Sequence, residues 1–535
     1  MEMRVFGPPG TGKTTGLERR IAAAVKRYGR NGVLVSSFTR AASAEISGRG
    51  IDVNPDNVGT LHAICYRMLS HPTLTEGKHG DFNAAFPHFK LSSGIKSNTD
   101  EPAYEIVYNT DGDKLAAQHG LFRARMVPRE LWPHSVLAFD KAWSSWKVGN
   151  GIFDFTDLIE VCLNTVDRYK LCDVGFFDEA QDFTKLQATL VRKWGDAMEH
   201  FLLAGDDDQM IFTFAGATID AFLEPPISDK QKEVLSQSYR VSRAVHAASQ
   251  RWAGRLSRRE PKEYLPTGIE GEVARLESSF RSPEKLLRFV ESELAKDRSV
   301  MILGACSYHV APTAAVLKKE GIPFHNPYRT NNGQWNPLGN RKGWTARDKL
   351  EAFLAPEAGF PDSYWSATQL KAFAKDLGAK CFIRGGKKGV QGIGVERGEY
   401  TDLDEFIKYL YMFFDDGFVG ILLKSLIDGP TAETFLSRVI DSKLDSYAFA
   451  TKCINRGGLA SIQDEPKITV GTIHSVKGGE ADTVVLYPDL SNSGYVELGI
   501  NQDAIVRQFY VGMTRARDKL MIAQPEQQLY VRGLI

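Results

Sequence analysis

Apolar positions change their period twice within the first forty residues. Met3–Phe6 is a short strand-like run. Leu17, Ile21, Ala24 and Val25 then recur three and four residues apart as far as about Tyr28, which predicts one buried face of a helix. Gly29 and Gly32 end that pattern. Val33-Leu34-Val35 follows as a β-branched run bounded by glycine, the mark of a strand buried on both faces. Strand, helix and strand in this order predict a parallel sheet with a crossover helix. The segment 171–178 and the run Phe201-Leu202-Leu203-Ala204 read as further strands of that sheet. A second α/β pattern begins near Val234. Its core strands are expected at Val300–Leu303, Ile468–Val470, Val484–Tyr487 and Leu520–Ile522.

Two long stretches break these patterns. Residues 67–150 carry clustered turn residues (His71-Pro72, Glu76-Gly77-Lys78, Asp111-Gly112-Asp113) and the tryptophans Trp132, Trp143 and Trp146. Residues 330–455 open on Asn331-Asn332-Gly333-Gln334 and continue with helical stretches such as 403–414. Simple βα repeats do not separate neighbouring core strands so widely. The expected fold is therefore α/β with two parallel-sheet cores, each split by an insertion. The first core is 1–66 with 151–233 and the second is 234–329 with 456–535. The segments 67–150 and 330–455 are inserted accessory subdomains.

Composition narrows the function classes. The 535 residues include 66 Lys+Arg and 66 Asp+Glu, so any basic track for nucleic acid must be local. No apolar run reaches the roughly 18 residues of a membrane span, and no partner membrane is expected. The N-terminus lacks the apolar core of a signal peptide, which suits a cytoplasmic protein. No two of the six cysteines are closer than ten residues, so zinc spacing and a disulfide framework are not expected. Neither HExxH nor GxSxG occurs.

Candidate chemistry begins where the first strand ends. Gly7-Pro8-Pro9-Gly10-Thr11-Gly12-Lys13-Thr14, followed by Thr15, fits a phosphate loop between a strand and a helix. Glycines let backbone N–H groups turn inward around phosphate oxygens, and the helix N-terminus adds its positive end. In that reading Lys13 reaches the outer phosphates of ATP and Thr14 ligates Mg²⁺. Phe176-Phe177-Asp178-Glu179 ends a buried strand with two carboxylates. Asp178 suits the second Mg²⁺ contact, and Glu179 suits the base that orients the attacking water.

Beyond these two sites the chain resembles superfamily 1A DNA helicases of the UvrD/Rep/PcrA type. Asp178-Glu179-Ala180-Gln181-Asp182 resembles that family's second motif. Ser37-Phe38-Thr39-Arg40-Ala41-Ala42 and Gly59-Thr60-Leu61-His62 resemble motifs Ia and Ib. Gly205-Asp206-Asp207-Asp208-Gln209 and Gln237-Ser238-Tyr239-Arg240 resemble motifs III and IV. Gly471–Glu480 and Tyr510–Ala516 resemble motifs V and VI. The resemblance implies two RecA-like P-loop domains with ATP between them. It makes Gln209 a γ-phosphate sensor, Tyr239 the adenine platform, Arg240 a γ-phosphate contact, Glu480 the ribose contact and Arg515 an arginine finger. It also implies 3′ to 5′ movement on single-stranded DNA, tailed duplexes as substrates, and repair or replication proteins as partners. Phe38, Phe212 and Phe214 become candidate base platforms. Thr39, Arg40, Thr60, His62, Thr472 and His474 become candidate backbone contacts.

Three positions depart from the family pattern. Phe214-Ala215 stands where Trp-Arg is usual, Lys477-Gly478-Gly479-Glu480 replaces Lys-Gly-Leu-Glu, and only two residues precede the first strand, leaving no room for an upstream adenine-reading glutamine. Two rival readings remain open: a translocase that strips proteins without unwinding, and a P-loop ATPase switch that does not act on nucleic acid.

Overall fold

The computed structural model describes residues 1–37, 52–92, 108–165, 172–330, 332–339, 344–358, 363–393 and 403–535. Phe38, Thr39 and Arg40 lie outside the described residues. The chain divides into two compact units. One comprises Met1–Glu277, Leu303–His309 and Thr472–Ile535, and the other Ser278–Ile302 and Val310–Gly471.

The first unit contains a six-stranded parallel sheet. Its strands are β1 (Glu2–Phe6), β2 (Val33–Ser37), β3 (Val58–Gly59), β4 (Val174–Asp178), β5 (His200–Gly205) and β6 (Lys232–Val234), in the order β3-β2-β4-β5-β1-β6. Side chains alternate between the faces of each strand. Phe6, Leu34, Phe177 and Leu203 enter one apolar cluster with Leu186, Leu190 and Trp194. Their neighbours Val5, Val33, Val35, Phe176 and Leu202 enter a second cluster with Leu17 and Ile21 of helix α1 (Lys13–Tyr28). Both faces are covered, which is why these strands read as unbroken apolar runs. Burying each large side chain contributes about 1.5–3 kcal/mol.

Register fixes the functional edge. Phe6 pairs with Gly205, Phe177 with Leu203, and Asp178 with Ser37. The segments after β1, β4 and β5 therefore leave the sheet at one carboxyl edge, where open α/β sheets bind ligands.

The second sheet has β7 (Glu272–Leu276), β8 (Val300–Gly304), β11 (Ile468–Thr472), β12 (Ala481–Leu486) and β13 (Ala516–Ala523), in the order β11-β8-β12-β13-β7. β12, β13 and β7 are parallel. Within the first unit, Tyr487 N–H donates to Leu303 O at 2.9 Å and Ile473 N–H to Gly304 O at 3.0 Å. The short strands β3, β6 and β7 carry no long apolar run and were not expected from the sequence.

Part of the segment 67–150 forms its own aromatic core in this unit, with Phe82 edge-on to Trp143 at 4.8 Å and close to Phe139 and Trp146. Helix Asp111–Ala124 ends against the turn after β5. A Cβ on Gly216 would lie 2.8 Å from Ala124 Cβ, so only glycine permits that approach. Arg123 holds Asp154 at 2.9 Å and Glu160 at 2.6 Å, joining this helix to helix Phe155–Thr165.

The second unit is largely helical around Leu350, Phe353, Trp365, Phe373 and Phe435. Two short strands, β9 (Glu357–Ala358) and β10 (Ser363–Tyr364), pair antiparallel. In this unit Lys387 Nζ donates to Leu377 O at 2.7 Å. All six cysteines are buried, and none forms a disulfide. Among the described residues no helix is long and apolar enough to cross a membrane.

Candidate nucleotide site and nucleic-acid face

The phosphate loop runs from β1 into α1. Gly7 N–H donates to Gly205 O at 2.9 Å, tying the loop to the end of β5. Gly10 and Gly12 have φ of 73° and 76°, the left-handed conformation that glycine adopts without Cβ strain. Gly12 caps α1, and the first turn carries no acidic residue, so nothing on the helix competes with an incoming anion. Pro8, Pro9 and Thr11 are buried, Thr14 is half-buried and Thr15 is exposed. Lys13 Nζ donates to Gly7 O at 2.7 Å, so its ammonium stays inside the loop.

The motif IV segment lies on this loop. Tyr239 N–H donates to Gly10 O at 2.8 Å. Ser238 Oγ and Tyr264 Oη both donate to Pro9 O, at 3.0 and 2.8 Å. The Tyr239 ring is 78% exposed, open for a planar base. A Cβ on Gly10 would lie 2.4 Å from Arg240 Cβ. Arg240 and Glu480 form an ion pair, and Arg517 Nε donates to Glu480 at 2.9 Å. Burial opposes ionisation of Glu480, but Arg240 and Arg517 hold its carboxyl below the usual range. The proposed γ-phosphate and ribose contacts thus neutralise one another.

Asp178 is buried at the end of β4, and its Oδ1 accepts the Glu179 N–H at 2.9 Å. Glu179 follows in a left-handed conformation, φ 54°, where a side chain is strained. Burial alone would raise its pKa. Lys477, Lys13, Gln181 and Arg515 outweigh burial and keep it ionised. Lys477 is the hub of this charge group. Its Nζ pairs with buried Asp182, lies 3.8 Å from Glu179 Oε2, donates to Gln209 O at 3.1 Å and sits 4.9 Å from the Phe212 ring centre. Burial nevertheless pushes the Asp182 carboxyl up to about 6, with Lys477 the largest opposing influence. Lys477 lies within the motif V segment and was not among the residues expected at the site.

Gln209 Nε2 donates to Asp206 Oδ2 at 2.8 Å, and Gln209 Oε1 accepts from Arg515 Nη2 at 2.7 Å. Arg515 also donates to Gly479 O at 3.1 Å and Val511 O at 3.0 Å, so its buried guanidinium is held by three acceptors. Asp206, Asp207 and Asp208 are fully buried and compensated by protein cations. Lys262 Nζ lies 3.1 Å from Asp206 and 3.0 Å from Asp208, Arg259 pairs with Asp208, and Arg507 donates to Asp207 O at 3.0 Å. Among the described residues no acidic, histidine or cysteine group is arranged to hold a metal. No local pattern marks Lys262, Arg259 or Arg507 as partners of this trio.

The candidate nucleic-acid residues divide. Phe214 is half-buried in the turn after motif III. Thr60 is half-buried and caps helix Leu61–Met68 through a 3.3 Å bond from Ala63 N–H. His62 is half-buried, and desolvation lowers its pKa to about 4, so it is neutral at pH 7 and can only donate or accept a hydrogen bond. Phe212, Thr472 and His474 differ from expectation because all three are buried. Phe212 lies edge-on to Phe214 at 5.7 Å and beneath Lys477, so its face is covered. His474 packs between the two phenylalanines, with Nε2 3.2 Å from Ile211 O. Thr472 Oγ1 accepts from Ser475 N–H at 3.2 Å and shapes a turn.

Comparison with known proteins bears on this arrangement. A family model described as the UvrD/REP helicase N-terminal domain matches residues 2–226, and one described as the UvrD-like helicase C-terminal domain matches 448–527. A probable DNA helicase II homolog of Mycoplasma pneumoniae is 23% identical over 606 residues, covering 97% of this chain and 81% of its own. The ATP-dependent DNA helicase PcrA of Staphylococcus epidermidis is 23% identical, covering 62% of this chain and 49% of its own. DNA helicase II of Salmonella typhimurium is 25% identical, with the same coverage of 62% and 49%. The chain thus spans about half the length of the latter two. Both helicase domain models match in order, one over the phosphate loop and the acidic pair and the other over Lys477, Glu480 and Arg515, so the chain belongs to the UvrD/Rep/PcrA-type helicases of superfamily 1A.

Proposed function

We propose that this protein is an ATP- and Mg²⁺-dependent helicase that moves 3′ to 5′ on single-stranded DNA and unwinds tailed duplexes. The observation that carries the reading is the convergence of four cationic and amide groups on one carboxylate. Lys13, Lys477, Arg515 and Gln181 all act on Glu179. Such a group suits phosphoryl transfer, in which catalysis is mostly positioning and charge neutralisation.

In this reading the loop Gly7–Thr14 and Lys13 hold the phosphates, and Tyr239 stacks on adenine. Glu179 accepts the proton of the attacking water, Gln209 senses the γ-phosphate, and Arg240 and Arg515 neutralise its charge. Glu480 binds ribose once released from Arg240. The site fits a hard divalent cation: Thr14 and Asp178 supply oxygen donors, and glycines at 10 and 12 give the loop its inward curl. Mg²⁺ would be held by those two oxygens and would neutralise phosphate charge. Phe214, Thr60 and His62 lie on the single-strand face. Family membership supports DNA as substrate and the 3′ to 5′ direction. The boundaries 1–66 with 151–233, and 234–329 with 456–535, are kept as proposed cores.

A strand-displacement assay on duplexes with a 3′ or a 5′ single-stranded tail, with parallel ATPase measurement, tests this. Displacement from the 3′ tail alone is expected. ATPase stimulation without displacement would assign the translocase reading, and no stimulation by single strands would remove nucleic acid from the function.

A further inference from the structure

Beside the single-strand face lies a cation that no motif includes. Arg125 caps the end of helix Asp111–Ala124, and the chain then turns sharply through Met126 at φ 51°. Its Nη2 donates to Thr213 O at 3.1 Å, the residue before Phe214. Its Nε is buried without a hydrogen-bond partner. Among the described residues no carboxylate pairs with it, although Arg123, two positions earlier, holds three. Burial accordingly lowers its pKa, with nothing offsetting it. A half-buried guanidinium without a counter-ion is costly unless an anion arrives. Its position is secured from both sides, because Gly216 admits Ala124 and Thr213 O receives the guanidinium.

We propose that Arg125 binds a phosphodiester of the single strand whose base stacks on Phe214. This extends the proposed function and rests on it. A planar guanidinium with free N–H groups matches phosphate oxygens, and placing a cation beside an aromatic platform is the usual composition of single-strand sites. The neighbouring Ala215 is exposed and offers no charge, so at this turn the cation comes from the segment 67–150.

The test measures single-strand affinity of the full chain against salt, using an oligothymidine probe, for wild type, Arg125→Gln and Arg125→Lys. Each phosphate contact contributes about 0.7 to the slope of log K against log salt for single strands. Arg125→Gln is expected to reduce the slope by about 0.7 and weaken binding about tenfold at low salt. Arg125→Lys is expected to keep the wild-type slope. A wild-type slope in Arg125→Gln overturns the proposal. So does equal loss in both variants, which would make the residue a clamp on Thr213. Wild-type protein that binds no single strand overturns the functional reading itself, and this proposal with it.

Discussion

Replacing Lys477 with methionine keeps the apolar stem of the side chain and removes its charge. The consequence is worked from Asp182, whose side chain is 1% exposed and pairs with Lys477. Its carboxyl is already pushed up to about 6 from 3.8. A carboxyl with a raised folded-state pKa binds its proton more tightly when folded. It therefore costs stability as pH rises from about 4 to about 6, by about 3 kcal/mol in total. Without Lys477 the folded-state pKa rises further, and the loss continues beyond pH 6. Glu179 moves in the same direction, because Lys477 is the largest influence opposing its burial. Breaking a buried ion pair by removing one partner costs about 3–5 kcal/mol where the survivor is charged. Near pH 5 Asp182 is largely protonated in both folded proteins, so that part of the difference disappears. Loss of the contact with Phe212 adds a smaller offset that does not vary with pH. Thermal unfolding of both proteins between pH 5 and 8 is the assay. The gap in midpoints should widen steadily above pH 6. A gap of constant size across that range would refute the argument, since the lost charge would then not be acting on a buried carboxylate.

The other predictions concern turnover and binding. Lys13→Ala should abolish ATP turnover and weaken nucleotide binding, whereas Glu179→Gln should retain binding and lose at least 10²-fold in kcat, the scale of general-base catalysis. Equal loss of nucleotide binding in both folded variants contradicts that division of labour. Phe214→Ala should lower single-strand affinity by about 1–3 kcal/mol, the contribution of one stacked base; unchanged affinity in a fluorescence titration returns Phe214 to core packing. Tyr239 offers adenine an exposed ring, and stacking distinguishes purines weakly. The ratio of kcat/KM for ATP over GTP should stay below about 100, and a larger ratio means that some group hydrogen-bonds the base edge.

Much of the local geometry of the candidate nucleotide site was legible because its determinants are close in sequence. Gly10 and Gly12 supply the turn, Lys13 opens the helix, and Phe176-Phe177-Asp178-Glu179 ends a doubly covered strand within a few residues. What escaped reading depends on contacts across long stretches of chain. Asp206–Asp208 are balanced by Lys262, Arg259 and Arg507, up to 300 residues apart in the bond from Arg507 to Asp207. Phe212 and Phe214 are two residues apart on one short turn, yet the first is buried beneath Lys477 and the second stays half-buried. Identity alone does not separate them, since either ring suits a base or a core. Arg125 was overlooked because its meaning comes from Thr213, which lies 88 positions further along the chain.

The left-handed backbone at Glu179 has a consequence for how this chain would change under selection. A non-glycine residue held there costs about 1–3 kcal/mol, and glycine would relieve most of it while removing the carboxylate. Position 179 is thus one where stability favours glycine, while the proposed role as base favours glutamate. A library varied at this codon and screened only for soluble yield should accumulate glycine and asparagine. The same library screened for growth that depends on the enzyme should return glutamate. Divergence of the two outcomes would measure, at a single codon, how much folding stability the lineage forgoes to keep a carboxylate in place.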